Sequence, residues 1–128
     1  MGIINWYAVH PTSMTYYNRL ISGDHKGYGS LTFEHLKNSD RNTDDLFVAA
    51  FAQSYPGDVT PNLNLDNTGP GFDDFDSTRI IGERQLSTAV TLFEQASERV
   101  HGDTQGHIVA NGNGFAPTAV ADTIRLGR

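Results

Sequence analysis

The chain reads as an α/β protein: a βαβ-type, partly parallel sheet flanked by helices. Three observations predict this. Two apolar runs without charge, Ile3 to Val9 and Phe47 to Ala52, each lead into a proline-bearing break, His10-Pro11 and Tyr55-Pro56-Gly57-Asp58. The polar stretch from Tyr16 to Asp45 between them is long enough for the crossover that parallel strands require. A long amphipathic helix from Thr78 to Val100 follows the second run, which completes the strand–helix–strand–helix order of βαβ units.

The first strand is rich in β-branched and aromatic residues, with Ile3, Ile4, Trp6, Tyr7 and Val9 in seven positions. It stops at His10, which the following proline holds extended. Thr15 to Asp24 is polar with aromatic interruptions and reads as a loop. Ser22-Gly23-Asp24 is a helix start with Asp24 at the cap. The helix from His25 to Lys37 has a loose apolar stripe of Tyr28, Leu31 and Leu36, and is weakened by Gly27 and Gly29 at ~1 kcal/mol each. Those glycines allow close approach to a sheet or to a substrate chain. His35 is expected to face solvent near the helix end, where it suits the dipole. Asn38 to Asp45 is a solvated connector.

The second strand has no charge and polar bounds, as expected of a strand covered on both faces. After Asn62 a long irregular segment reaches Gly71. The carboxylates of Asp73, Asp74 and Asp76 then precede a helix. They read either as complements to its dipole or as oxygen ligands for a divalent cation. Along that helix Ile81, Leu86, Ala89, Val90, Phe93, Ala96 and Val100 recur every three or four residues. This is a core-packing stripe, and Gly102 is its stop. A short strand is expected around Ile108-Val109, a turn at Asn111-Gly112-Asn113-Gly114, and at most a short helix between Ala116 and Arg128.

Composition narrows the function classes. A net charge of −6 argues against a nucleic-acid partner, because phosphate binding needs a basic face. With no cysteine there is no disulfide framework, thiolate chemistry or cysteine metal site. No apolar run approaches the ~20 residues of a transmembrane span. The N-terminus lacks the basic flank of a signal peptide and enters a strand at once, so the chain reads as cut from something longer. Nothing in the residues sets the compartment.

Chemistry in open α/β sheets gathers at the carboxyl ends of strands. Two residues qualify there. His10 is a candidate metal ligand or general base, or else a histidine hydrogen-bonded at a sheet edge. Thr60, just past the Gly57-Asp58 turn, is a candidate nucleophile, or else an ordinary turn hydroxyl. If the two strands are neighbours, both residues lie on one rim of the sheet.

Four blocks, INWYAVHPTSM, LISGDHKGYGS, FVAAFAQ with GDVTPN, and FDSTRIIGERQ, occur here in the order in which neutral ceramidases carry them. The chain resembles that family from about Gly2 to about Gly102; residues 103–128 look foreign to it and form a divergent tail. The resemblance implies a zinc-dependent amidase that splits ceramide, or a related N-acyl sphingoid lipid, into sphingoid base and fatty acid. It implies that His10 is one of two zinc histidines, and that Thr60 stands where the family motif usually has its nucleophilic serine. Tyr55-Pro56 also departs from the family, which usually has Asn and a small residue there. Family members are mostly secreted or on the outer membrane face, so the resemblance also allows peripheral membrane contact. The family's other zinc histidine lies upstream of this stretch, and its glutamate and tyrosine ligands lie downstream.

Two functional expectations result. The chain is a ceramidase-like segment, incomplete alone, with Thr60 and His10 in the site and zinc as cofactor. Alternatively it is a catalytically silent remnant that serves as a structural or interaction module.

Overall fold

The computed structural model describes residues 2–38, 46–99, 107–111 and 121–126. In chain order these form β1 (Gly2–Tyr7), α1 (Asp24–Lys37), β2 (Val48–Gln53), α2 (Asp74–Arg99), β3 (His107–Asn111) and β4 (Ala121–Leu126). The strands make one mixed sheet in the order β2-β1-β4-β3. β1 and β2 are parallel neighbours, Gly2 opposite Val48 and Tyr7 opposite Gln53, with α1 as their crossover. The β1–β4 and β3–β4 pairs are antiparallel. The α/β reading and the predicted pairing of the two apolar runs therefore hold. The connector at residues 39–45, the Gly102 stop and the turn at 112–114 lie outside the described residues.

One core cluster joins Ile3 of β1, Ala49 of β2, Phe33 of α1 and Leu86, Ala89 and Phe93 of α2, with Phe47 just ahead of β2. Both helices therefore cover the sheet face that carries Ile3 and Ala49. The rings of Phe33, Phe47 and Phe93 lie 5.1–5.7 Å apart, and Phe93 meets the other two edge-on. The α2 stripe is core from Ile81 to Ala96, as its spacing predicts, and Val100 lies outside the described residues. α1 packs closely at Gly29, where a Cβ would stand 3.0 Å from the Phe51 ring. Gly82 of α2 does the same against Tyr28, at 2.5 Å.

Several expectations are corrected. β2 is covered on one face only among the described residues: Val48 is 59% exposed and Ala50 is exposed. An edge strand of small side chains can read as continuously apolar without being enclosed. Its outward backbone groups are met by side chains from α1. Asn38 bonds both the N–H and the C=O of Phe47, while Glu34 accepts from Ala49 N–H and Ser30 donates to Ala49 C=O. Unpaired edge groups are thereby occupied.

α1 does not bury its apolar stripe. Leu31 and Leu36 are exposed, whereas Asp24, His25 and Lys26 are buried. Asp24 is not the cap either. Gly23 holds that position, and Asp24 sits at φ +52° with its carboxylate turned to another loop. α2 begins at Asp74, four residues ahead of Thr78, and takes Asp74 and Asp76 into its first turn. The segment expected to hold at most a short helix contains β4, because β1 offers it a free edge on which to pair.

Candidate functional site

The carboxyl ends of β1 and β2 form the rim on which sequence reasoning places the chemistry. Beyond β1 the chain runs through His10 to Met14 without regular structure; beyond β2 it turns at Gly57, in the left-handed region at φ +54°. The two loops are bonded together. His10 N–H donates to Val59 C=O at 3.0 Å, and His10 Nε2 lies 3.1 Å from Gly57 C=O. Asn62 Nδ2 donates to Thr12 C=O at 3.1 Å. His10 and the loop carrying Thr60 are thus neighbours, as the strand pairing requires. Both residues are exposed.

A carbonyl cannot donate, so the His10 ring must carry its proton on Nε2 to bond Gly57. Nδ1 is then the nitrogen with a lone pair to offer. Thr60 Oγ1 accepts from Asn62 N–H at 3.1 Å, which orients the oxygen and leaves the hydroxyl proton out of that bond. Thr60 lines a cavity of about 210 Å³ with Tyr7, Val9, Val59, Pro61, Leu63 and Ile81. That volume holds part of a long-chain ligand, not the whole of one.

The clamps behind this rim were not read from the sequence. The Asp24 carboxylate accepts from Ser13 N–H and Met14 N–H as well as from His25 N–H. Asp74 Oδ2 accepts from both the N–H and the hydroxyl of Thr15. Asp76 is taken by Arg79 and by Phe72 N–H, and Asp73 by Asp76 N–H. The acidic run therefore does structural work at the α2 N-terminus. His25, fully buried, lies between His10 C=O (2.9 Å from Nε2) and Gln85 (2.7 Å from Nδ1). Burial pushes its imidazole below the ordinary histidine range, against opposing pulls from His10 C=O and Asp24. In its neutral form its 3.9 Å approach to Asp24 is no ion pair.

Comparison with known proteins decides the family. The profile of the neutral/alkaline non-lysosomal ceramidase N-terminal region matches residues 1–111. The chain belongs to the neutral/alkaline non-lysosomal ceramidase family. It is 48% identical over 103 residues to the neutral ceramidase of Pseudomonas aeruginosa, an alignment covering 80% of this chain and 15% of that protein. To neutral ceramidase B of Dictyostelium discoideum it is 39% identical over 128 residues, covering 80% of this chain and 18% of the relative. The crystal structure of the Pseudomonas neutral ceramidase superposes with a TM-score of 0.62 at 45% identity, over 85% of this chain and 17% of that one. A ceramidase complexed with C2 gives 0.64 at 45% identity, over 85% of this chain and 16% of that one. The chain thus spans under a fifth of the length of these ceramidases.

Within this ceramidase segment the described residues contain no group of three His, Cys, Asp or Glu side chains able to hold a metal ion. His25 cannot join His10, because both of its ring nitrogens are engaged. His10 fits as one donor; a catalytic zinc takes three protein ligands, so the described residues do not by themselves fit that ion. No helix among them is long and apolar enough to cross a membrane.

Lys26 is the other feature that sequence reasoning missed. Its ammonium plugs the strand ends, donating to Tyr7 C=O at 2.7 Å and Ala52 C=O at 3.2 Å. Burial lowers its pKa from 10.5 to about 8. The unfolded chain then holds more protons than the folded one between about pH 8 and pH 10.5, so this residue makes stability rise with pH across that window and leaves it level below. Urea unfolding of wild type and Lys26→Met on both sides of the window checks this. Subtracting the variant cancels the tyrosines, and a difference that does not change with pH refutes the shifted lysine.

Proposed function

We propose that this rim is the part of a ceramidase-type amidohydrolase site that carries one metal ligand, His10, and the nucleophile, Thr60, acting on the N-acyl bond of ceramide or a related sphingoid lipid. The observation that carries this is the pair of bonds from His10 to Val59 and Gly57, which hold the HPTSM and GDVTPN loops against each other. In this reading the Thr60 hydroxyl attacks the amide carbonyl and the C–N bond breaks. The amine leaves with the hydroxyl proton, and water then hydrolyses the acyl ester. His10 would be the residue of this chain to hold zinc, through Nδ1, with Nε2–H oriented by Gly57, the usual way a ligand histidine is fixed. When bound, the ion would supply charge to polarise the carbonyl. The remaining ligands come from outside the described residues. Tyr16, Tyr17, Leu20 and Ile21 are exposed on one loop and Leu63, Leu65 and Phe72 on another, joined through Thr15 and Asp74. This apolar surface supports a peripheral lipid contact.

The ligand count favours a second reading for the isolated chain: a folded module without turnover. The two are separated by titration calorimetry with zinc. The expected result is weak binding or none for the 128-residue chain. Submicromolar one-to-one binding that His10→Ala abolishes would refute this and point to a complete ligand set within the chain.

A further inference from the structure

Three elements converge on one peptide group. Gln85 of α2, His25 of α1 and the loop after β1 are joined in a line of hydrogen bonds that ends at His10 C=O. The direction of that line is set by chemistry. His10 C=O can only accept, so His25 Nε2 carries the proton; Nδ1 is then bare and must accept from the Gln85 amide nitrogen. The same orientation leaves Gln85 Oε1 buried and without a partner among the described residues. The amide is therefore turned to serve the imidazole and not its own oxygen, an arrangement that costs stability. A buried leucine at position 25 would cost nothing of this kind.

The far end of the line is the residue that ties the rim together. The His10 peptide N–H meets Val59, its ring meets Gly57, and its carbonyl also accepts from Thr12 N–H at 2.9 Å. His10 itself is exposed, and hydrogen bonds to its N–H and C=O hold its backbone.

We infer that His25, oriented by Gln85, is a positioning residue: a strut that fixes the His10 peptide and through it the placement of the His10 ring and the Thr60 loop. Its functional meaning rests on the site reading above; the strut itself can be tested without turnover or metal.

The test is NMR on the isotope-labelled 128-residue chain. The His25 ring should show Nε2 protonated and Nδ1 bare. In His25→Leu, amide exchange at His10 and Thr12 should rise about tenfold or more relative to Phe47 and Ala49. Those two amides are held from the other end of α1 by Asn38 and Glu34. His25→Gln, whose amide nitrogen can donate to His10 C=O, should stay within about threefold of wild type at the same amides. If His25→Leu does not fold, Gln85→Met removes the donor to Nδ1 and should give a smaller rise confined to His10 and Thr12. An Nδ1-protonated ring, a rise spread equally over all four amides, or no rescue by glutamine would overturn the strut. A wrong site reading would show instead in the turnover and zinc content of a full-length enzyme carrying this segment, with these exchange rates unmoved.

Discussion

Replacing Thr60 by alanine in a full-length enzyme carrying this segment is expected to lower ceramide turnover by about three orders of magnitude or more, as losing a covalent nucleophile does. Zinc content should not change if His10 and ligands from elsewhere hold the ion as proposed, because those residues remain. Thr60→Ser should retain or raise turnover. Pro61 keeps the Thr60 backbone extended, so the direction of the hydroxyl depends on χ1. The threonine methyl restricts χ1 and must find room beside the substrate amide. The oxygen is already steered by Asn62 N–H, a bond that serine can make equally well. A competing account makes metal-bound water the attacking group and Thr60 a positioning hydroxyl, and it predicts only a modest loss for alanine. Turnover of a labelled ceramide by the three proteins, with metal analysed in parallel, separates the accounts. If Thr60→Ala keeps most of its turnover at full zinc occupancy, the nucleophile assignment fails.

Phe93→Ala should destabilise the chain by ~3–5 kcal/mol, the range for deleting a buried phenylalanine ring. Phe93 is 5% exposed and meets Phe33 and Phe47 edge-on, at 5.7 and 5.3 Å. Its removal opens a cavity where α1, α2 and the entry to β2 meet, and forfeits two aromatic pairs worth roughly 0.5–1.5 kcal/mol each beyond area. The Lys37 ammonium, 5.0 Å from the ring centre, loses its contact as well. Burial of Leu86 on the same helix contributes ~1.5–3 kcal/mol before entropy, so the phenylalanine should exceed its neighbour. Urea unfolding with an unchanged slope and a lower midpoint is the expected record. An unchanged midpoint would mean that α2 is not packed across this face.

The rim depends on that packing. α2 carries Gln85 and Asp74; Asp74 bonds Thr15 of the loop after β1 directly, and Gln85 reaches that loop through His25. A variant that loosens α2 should therefore disturb the His10 segment as well as the core, whereas Thr60→Ala should leave the unfolding midpoint nearly unchanged because Thr60 is exposed.

What the sequence by itself determined follows from short-range physics. Apolar runs with β-branched and aromatic residues locate β1 and β2, although β1 stops at Tyr7 and β2 at Gln53, each ahead of its proline-bearing break, and a three-or-four repeat locates the buried stripe of α2. Because β1 and β2 are parallel neighbours, the stops of both lie on one rim, and His10 and Thr60 were legible as rim residues from these signals alone. The family, too, was legible, because four blocks stand in order within the stretch that the family profile matches.

Other features were decided only by the tertiary structure. The burial of His25, Lys26 and Asp24 runs against residue preference, and no local pattern announces it. It is tolerated because backbone groups from distant strands and loops meet those side chains: Tyr7 and Ala52 for Lys26, His10 for His25, Ser13 and Met14 for Asp24. Likewise β2 is an edge strand because of what does or does not pair beside it. β4 became a strand because β1 had an edge to fill. A polar residue's partner lies many positions away in sequence, and only the folded chain brings the donor to its acceptor.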